Sequence, residues 1–167
     1  MPARQALRGV PEAGYGSATI CPEFTVAQLT DHLIGSVTAL GAAAGAEFPG
    51  TATGILEARL AEAAQPAMEA WNARGADGTV KVGPSKLPAT IALGILSIEF
   101  LVHAWDFAQA TGQQIAVPDE LSAHVLGAAR TIITPEGRAT VGFADPVEPG
   151  PDSSVLDRLI AFTGRSA

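Results

Sequence analysis

The apolar run from Leu87 to Trp105 contains one charged side chain, Glu99, and a histidine, His103, follows it four positions later. Removing a lone carboxylate from water is costly unless it is paired, protonated or bound to a cation. A helix brings positions i and i+4 onto one face, so Glu99 and His103 point the same way. A further histidine, His32, falls on the apolar stripe of an earlier predicted helix. Two imidazoles and one carboxylate converging from two helices suit a single divalent metal with coordination positions left open, and such donors suit zinc, nickel, iron and manganese to differing degrees.

A core polar network without metal, or a protonated Glu99, is the competing reading. It is the less economical one, because the chain has only 10 Lys and Arg and none lies between Lys86 and Arg130. Asp106 follows His103 by three residues on about the same face. It reads as a candidate catalytic residue (a proton acceptor or an orienting group), a fourth ligand, or a helix-surface carboxylate. His124 has no carboxylate at metal spacing and reads as surface or structural, and Cys21 as a small buried thiol rather than a ligand. Trp105 and Phe107 read as packing residues. There is no glycine-rich phosphate loop with its lysine, no nucleophile elbow and no Cys-x-x-Cys pair. The single Glu-x-x-x-His differs from the paired Glu-x-x-His of di-iron bundles, which favours a mononuclear site.

Length and composition bound the rest. The 167 residues make one domain, 1–167, large enough for a single core. With a net charge of −7 and no Lys/Arg cluster, the chain lacks the footprint of a nucleic-acid partner. A single cysteine excludes an intrachain disulfide framework, and Met1 to Val10 contain no apolar signal core. The run from Leu87 to Trp105 approaches the length of a membrane span, but Pro88, Gly94, Glu99 and His103 interrupt it. A buried core helix is expected, hence a cytoplasmic protein with no membrane partner and a small-molecule substrate.

The elements that must position these groups follow from periodicity. A helical stub is expected at 3–8. Thr25 with Gln28 forms a capping box for a helix reaching about Gly45, with Leu29, His32, Leu33, Ser36, Val37 and Leu40 on its inner face. A second long helix, about Thr53 to Arg74, is expected to kink or split at Pro66. Residues 75–87 read as a connecting loop with a short extended piece. The central helix runs from about Pro88 to Thr111, stopped by Gly112. Another helix spans about 118–133, 134–151 is loop-like, and a final helix capped by Asp152 or Ser153 stops at Gly164. The sum is an all-α bundle.

Three stretches together resemble a known family: Cys-Pro-Glu-Phe-Thr-Val-Ala-Gln-Leu-Thr-Asp-His-Leu (21–33), Glu-Phe-Leu-Val-His-Ala-Trp-Asp-Phe-Ala-Gln-Ala-Thr-Gly (99–112) and Asp-Arg-Leu-Ile-Ala-Phe-Thr-Gly-Arg (157–165). They are similar to the metal-binding helical domain of the mycothiol-dependent maleylpyruvate isomerase group, within the DinB-like superfamily. The resemblance implies a DinB-like four-helix bundle, here with a shortened N-terminal helix and an extra C-terminal helix. It also implies a divalent metal, Zn2+ first with Ni2+ or Fe2+ as alternatives, held by a histidine of the Asp-His-Leu helix and by the glutamate and histidine of the Glu-x-x-x-His helix. These positions are His32, Glu99 and His103, and Asp106 matches the aspartate of the family's Trp-Asp pair. The isomerase carries an additional C-terminal domain, for which the segment after Pro135 is too short, so the resemblance points to fold and metal rather than to maleylpyruvate isomerisation.

The reading that follows is a metal-dependent thiol transferase or isomerase for small electrophiles, with mycothiol or another low-molecular-weight thiol as co-substrate. The alternative is a non-catalytic metal-binding or stress-response module. Apolar helix faces beside a shortened first helix make a homodimer an expectation of the same reading.

Overall fold

The computed structural model describes residues 1–48, 50 and 53–166. The fold is mostly helical: α1 (Pro2–Leu7), α2 (Val26–Ala43), α3 (Leu56–Arg74), α4 (Ala89–Thr111), α5 (Asp119–Ile132) and α6 (Val155–Phe162), with one small sheet of β1 (Thr79–Val82) and β2 (Ser85–Pro88).

The chain meets its sequence signals at most helix ends. Thr25 caps α2 through a full capping box with Gln28. Gly112, left-handed at φ 65°, ends α4 where an L side chain would be strained. The cap of α6 is Ser154 rather than Asp152 or Ser153. Its hydroxyl accepts from the Asp157 amide at 3.1 Å, while the Asp157 carboxylate accepts from the Ser154 amide at 3.1 Å.

Two segments differ from expectation. Pro66 does not split α3, which runs unbroken from Leu56 to Arg74. Leu60, Ala63 and Ala64 before it and Ala67 and Trp71 after it are all buried, so packing on both flanks outweighs the one lost backbone hydrogen bond. The short extended piece expected in 75–87 is β1, and it pairs with a second strand: residues 79–88 form an antiparallel hairpin with Val82 opposite Ser85, closed by Gly83-Pro84. Burial of Val80 anchors it, and the Ala89 amide donates to the Gly78 carbonyl at 2.9 Å, tying the start of α4 to the hairpin.

α4 is the central element. It packs on α1, α2 and the hairpin on one side and on α5 and α6 on the other. Ala104, Phe107 and Ala108 join the core of Leu29, Leu33, Val37, Leu60 and Trp71. Ile98, Leu101 and Val102 join a second core with Val125, Leu126, Ala129 and Leu159. Being covered on both sides, α4 is apolar nearly all round. It has the length and hydropathy of a membrane span, yet most of its apolar window is buried inside the protein, as a core helix requires.

Candidate metal centre

α2 and α4 bring His32, Glu99 and His103 together. Glu99 Oε2 lies 3.4 Å from His32 Nε2 and 3.7 Å from His103 Nε2. Among the described residues, the three ligand atoms lie within 4.8 Å of one another. The two imidazoles meet edge to face, 5.3 Å apart between centroids at 88°. Phe24 stacks on His32 at 5.2 Å and fixes the plane of that ring.

The loop before α2 delivers Phe24. The Phe24 amide donates to the Cys21 carbonyl at 2.9 Å, the Thr19 hydroxyl donates to the Phe24 carbonyl at 2.8 Å, and Ala18 bridges to Thr25. The site is asymmetric in exposure. The His103 and Glu99 side chains retain 9% and 16% of their surface, whereas His32 retains 39% and forms an open rim. His32 therefore sits at the edge of the apolar stripe of α2, not within it.

Among the described residues, buried Glu99 Oε2 has no well-aligned hydrogen bond, and its contacts are the two long ion pairs with His32 and His103. A buried carboxylate oxygen met only by such long contacts is incompletely compensated for its loss of water. Burial pushes the Glu99 carboxyl up, but His32, His103 and Ser36 together hold it below the ordinary glutamate range, so it is a carboxylate. Its pairing with Glu99 raises His32 above the ordinary histidine value against the opposing effect of burial. Two ring nitrogens and one carboxylate oxygen are the donor set of a zinc-type site. Donors bound at about 2.0–2.2 Å to a tetrahedral ion lie roughly 3.3–3.6 Å apart, close to the two separations found here. The residues fit a divalent metal.

Asp106 stands behind His103. Its Oδ2 accepts from His103 Nδ1 at 2.9 Å, and its side chain is fully buried. Burial raises its carboxyl, but His103 and Arg165 more than offset this and hold it below the ordinary aspartate range. An ionised carboxylate only accepts, so His103 Nδ1 bears a proton toward Asp106, and Nε2 is the nitrogen that faces Glu99. This is the arrangement that orients metal-binding histidines.

A second group, Cys21, His103 and Asp106, also has its polar atoms within 4.8 Å of one another. A cation already occupies its surroundings: Arg165 Nη2 lies 3.1 Å from Cys21 Sγ and 2.8 Å from Asp106 Oδ2. Burial, then the Asp106 charge, push the Cys21 thiol up to about 11, so it is neutral at physiological pH. This group is a closed polar cluster and not a rival metal site.

The structure brings together the three residues that the sequence singled out, His32, Glu99 and His103, and adds a cluster behind them that the sequence did not reveal. Cys21 is partly buried, as expected of a small thiol, but as a polar partner of Asp106 at 3.4 Å. Arg165 stood in the sequence as the last residue of the 157–165 stretch that carries the family resemblance, just after the Thr163-Gly164 helix stop, with no role attached to it. His124 is exposed, and Trp105 and Phe107 are buried, as read. A concavity of about 580 Å³ between α2 and α3, lined by Ile34, Thr38, Arg59 and Glu62, does not include the three candidate ligands.

The helical scaffold and the His-Glu-His group define a helical-bundle protein with a metal-type donor set. The chain belongs to the mycothiol maleylpyruvate isomerase N-terminal domain family, whose model matches residues 3–108. The matched segment contains Cys21, His32, Glu99, His103 and Asp106, and ends before α5, α6 and Arg165. Two uncharacterized proteins, from two strains of Mycobacterium tuberculosis, are each 34% identical over 155 residues, covering 90% of this chain and 85% of theirs. No solved structure matches the chain at a significant level.

Proposed function

We propose that His32, Glu99 and His103 hold one divalent metal ion, Zn2+ in the first instance, and that the protein is a thiol-dependent transferase or isomerase for small electrophiles. The observation that carries this reading is Glu99 Oε2, a buried anion without a well-aligned hydrogen bond that faces two imidazole nitrogens at 3.4 and 3.7 Å. Family membership supports mycothiol or a related low-molecular-weight thiol as co-substrate, and a DinB-like four-helix bundle as the arrangement of the helices. A divalent ion bound by three protein donors supplies an acidity that brings a thiol or water into its ionised form near neutral pH.

The chain's own residues divide the remaining work. His32, on the exposed rim, leaves the site open to a small molecule from solvent, while Glu99 and His103 close the inner wall. Asp106 is fully buried and both its oxygens are engaged, so it is a positioning residue for His103 rather than the acceptor of a substrate proton.

The test is a Co2+-substituted protein titrated with mycothiol or a simpler thiol. A thiol-induced change in the visible spectrum, followed by transfer to a panel of electrophiles, is the expected result. A spectrum indifferent to thiol, with unfolding on metal removal, favours the purely structural metal role.

A further inference from the structure

We propose that Arg165, beyond the family-matched segment, is a positioning residue for this centre: by gripping both oxygens of Asp106 it fixes the carboxylate that aims His103 Nε2 at Glu99 and His32. The consequence for metal affinity rests on the metal reading above; the consequence for the His103 ring does not.

The grip is bidentate. Arg165 Nε donates to Asp106 Oδ1 at 2.6 Å and Nη2 to Oδ2 at 2.8 Å. Nη2 also reaches Cys21 Sγ at 3.1 Å, and Nη1 donates to the Thr163 carbonyl at 3.4 Å. Arg165 is 8% exposed, and its donors are directed at protein groups, so it does not read as a substrate-binding arginine. A planar fork matched to a carboxylate sets the plane of that carboxylate as well as its charge. Without the fork, Asp106 is free to turn about its terminal torsion, which is broad and roughly twofold. The contact that sets the His103 ring then loses its anchor.

The fold commits several groups to placing this one side chain. After α6 the Gly164 amide donates to Ala161 and the Arg165 amide to Ile160, a Schellman turn. Gly164 has φ +84°, and a Cβ there would lie 2.7 Å from the Ala144 carbonyl oxygen, so no other residue fits. Arg138 Nη1 holds the same turn from the far side, donating to the Ala144 carbonyl at 2.9 Å and the Phe162 carbonyl at 2.8 Å. The chain of support runs from Arg138 through the turn to Arg165, Asp106 and His103.

The experiment uses the full-length chain in wild-type, Arg165→Met and Arg165→Lys forms. Two quantities are read: the Zn2+ dissociation constant, by competition with a chromophoric chelator, and the protonation pattern of the His103 ring in the metal-free protein, by 15N NMR. Wild type is expected to show a single protonation pattern in which Nδ1 bears a proton held by Asp106. Arg165→Met is expected to weaken Zn2+ binding ten- to a hundred-fold and to mix protonation patterns, as loss of an outer hydrogen-bonding partner does. Arg165→Lys, which keeps the charge and drops the fork, is expected to fall between. An unchanged protonation pattern and an unchanged dissociation constant in folded Arg165→Met overturn the proposal. Where that variant does not fold, an Arg165→Lys protein identical to wild type in both quantities overturns it. If wild type binds no zinc but the His103 pattern still changes in the variants, the metal reading fails and the positioning role stands.

Discussion

Arg165 and Asp106, 59 residues apart in sequence, meet as a buried fork-and-carboxylate pair at 2.6 and 2.8 Å directly behind His103. The pair is embedded where α4, the loop before α2 and the turn after α6 converge. Its first consequence is for stability. Asp106→Ala leaves a buried guanidinium without its anion, a change that costs about 3–5 kcal/mol. Urea denaturation at pH 7 is expected to show a loss of that size, with the unfolding slope unchanged.

The same pair gives a direction in pH. Burial raises the Asp106 carboxyl but His103 and Arg165 hold it below its ordinary value. A depressed folded value means the stabilisation is complete above the unfolded aspartate pKa of about 3.9 and is lost as pH falls through the lower folded one. The stability gap between wild type and Asp106→Asn is therefore expected to be constant from pH 7 to about 5 and to close below about 4. A gap that closes near neutral pH contradicts this assignment.

Cys21 gives a chemical readout of the cluster. With its thiol pushed up to about 11 by burial and the neighbouring Asp106 charge, alkylation by iodoacetamide at pH 7.5 is expected to be slow and to accelerate toward that value. Replacing Asp106 with Asn removes the repelling charge and is expected to speed alkylation at fixed pH. Intact-mass kinetics measure both.

Much of this architecture was legible in the chain. The Thr25/Gln28 box, the period of α2 and the Gly112 stop each depend on residues within a few positions. Glu99 was legible because a carboxylate inside an apolar run violates burial unless something meets it. The hairpin was under-read because four-residue strands offer too few positions for alternation to stand out. The split expected at Pro66 is absent because the local penalty of proline is visible in sequence and the flanking burial is not. Asp106 looked as much like a surface carboxylate as a buried one, since its partner arrives after the irregular segment 134–151 and no spacing rule links positions 106 and 165.

Metal removal separates a bound ligand from a structural staple. The core around Leu29, Leu33, Leu60, Trp71 and Phe107 is continuous without the site, so the metal-free protein is expected to stay helical by circular dichroism. Free Zn2+ at a hundred times its dissociation constant is expected to add about 2.7 kcal/mol to stability, and excess chelator to remove it. Collapse of the helical signal on chelation contradicts this expectation.

The central claim, one divalent ion held by His32, Glu99 and His103, is tested most directly by elemental analysis of protein purified without a metal-affinity tag. His32→Ala is the companion variant because His32 is the most exposed of the three and its loss disturbs packing least. The expected result is close to one Zn2+, Ni2+ or Fe2+ per wild-type chain and almost none in folded His32→Ala. A wild-type protein without stoichiometric metal, or a His32→Ala protein that keeps it, contradicts the claim.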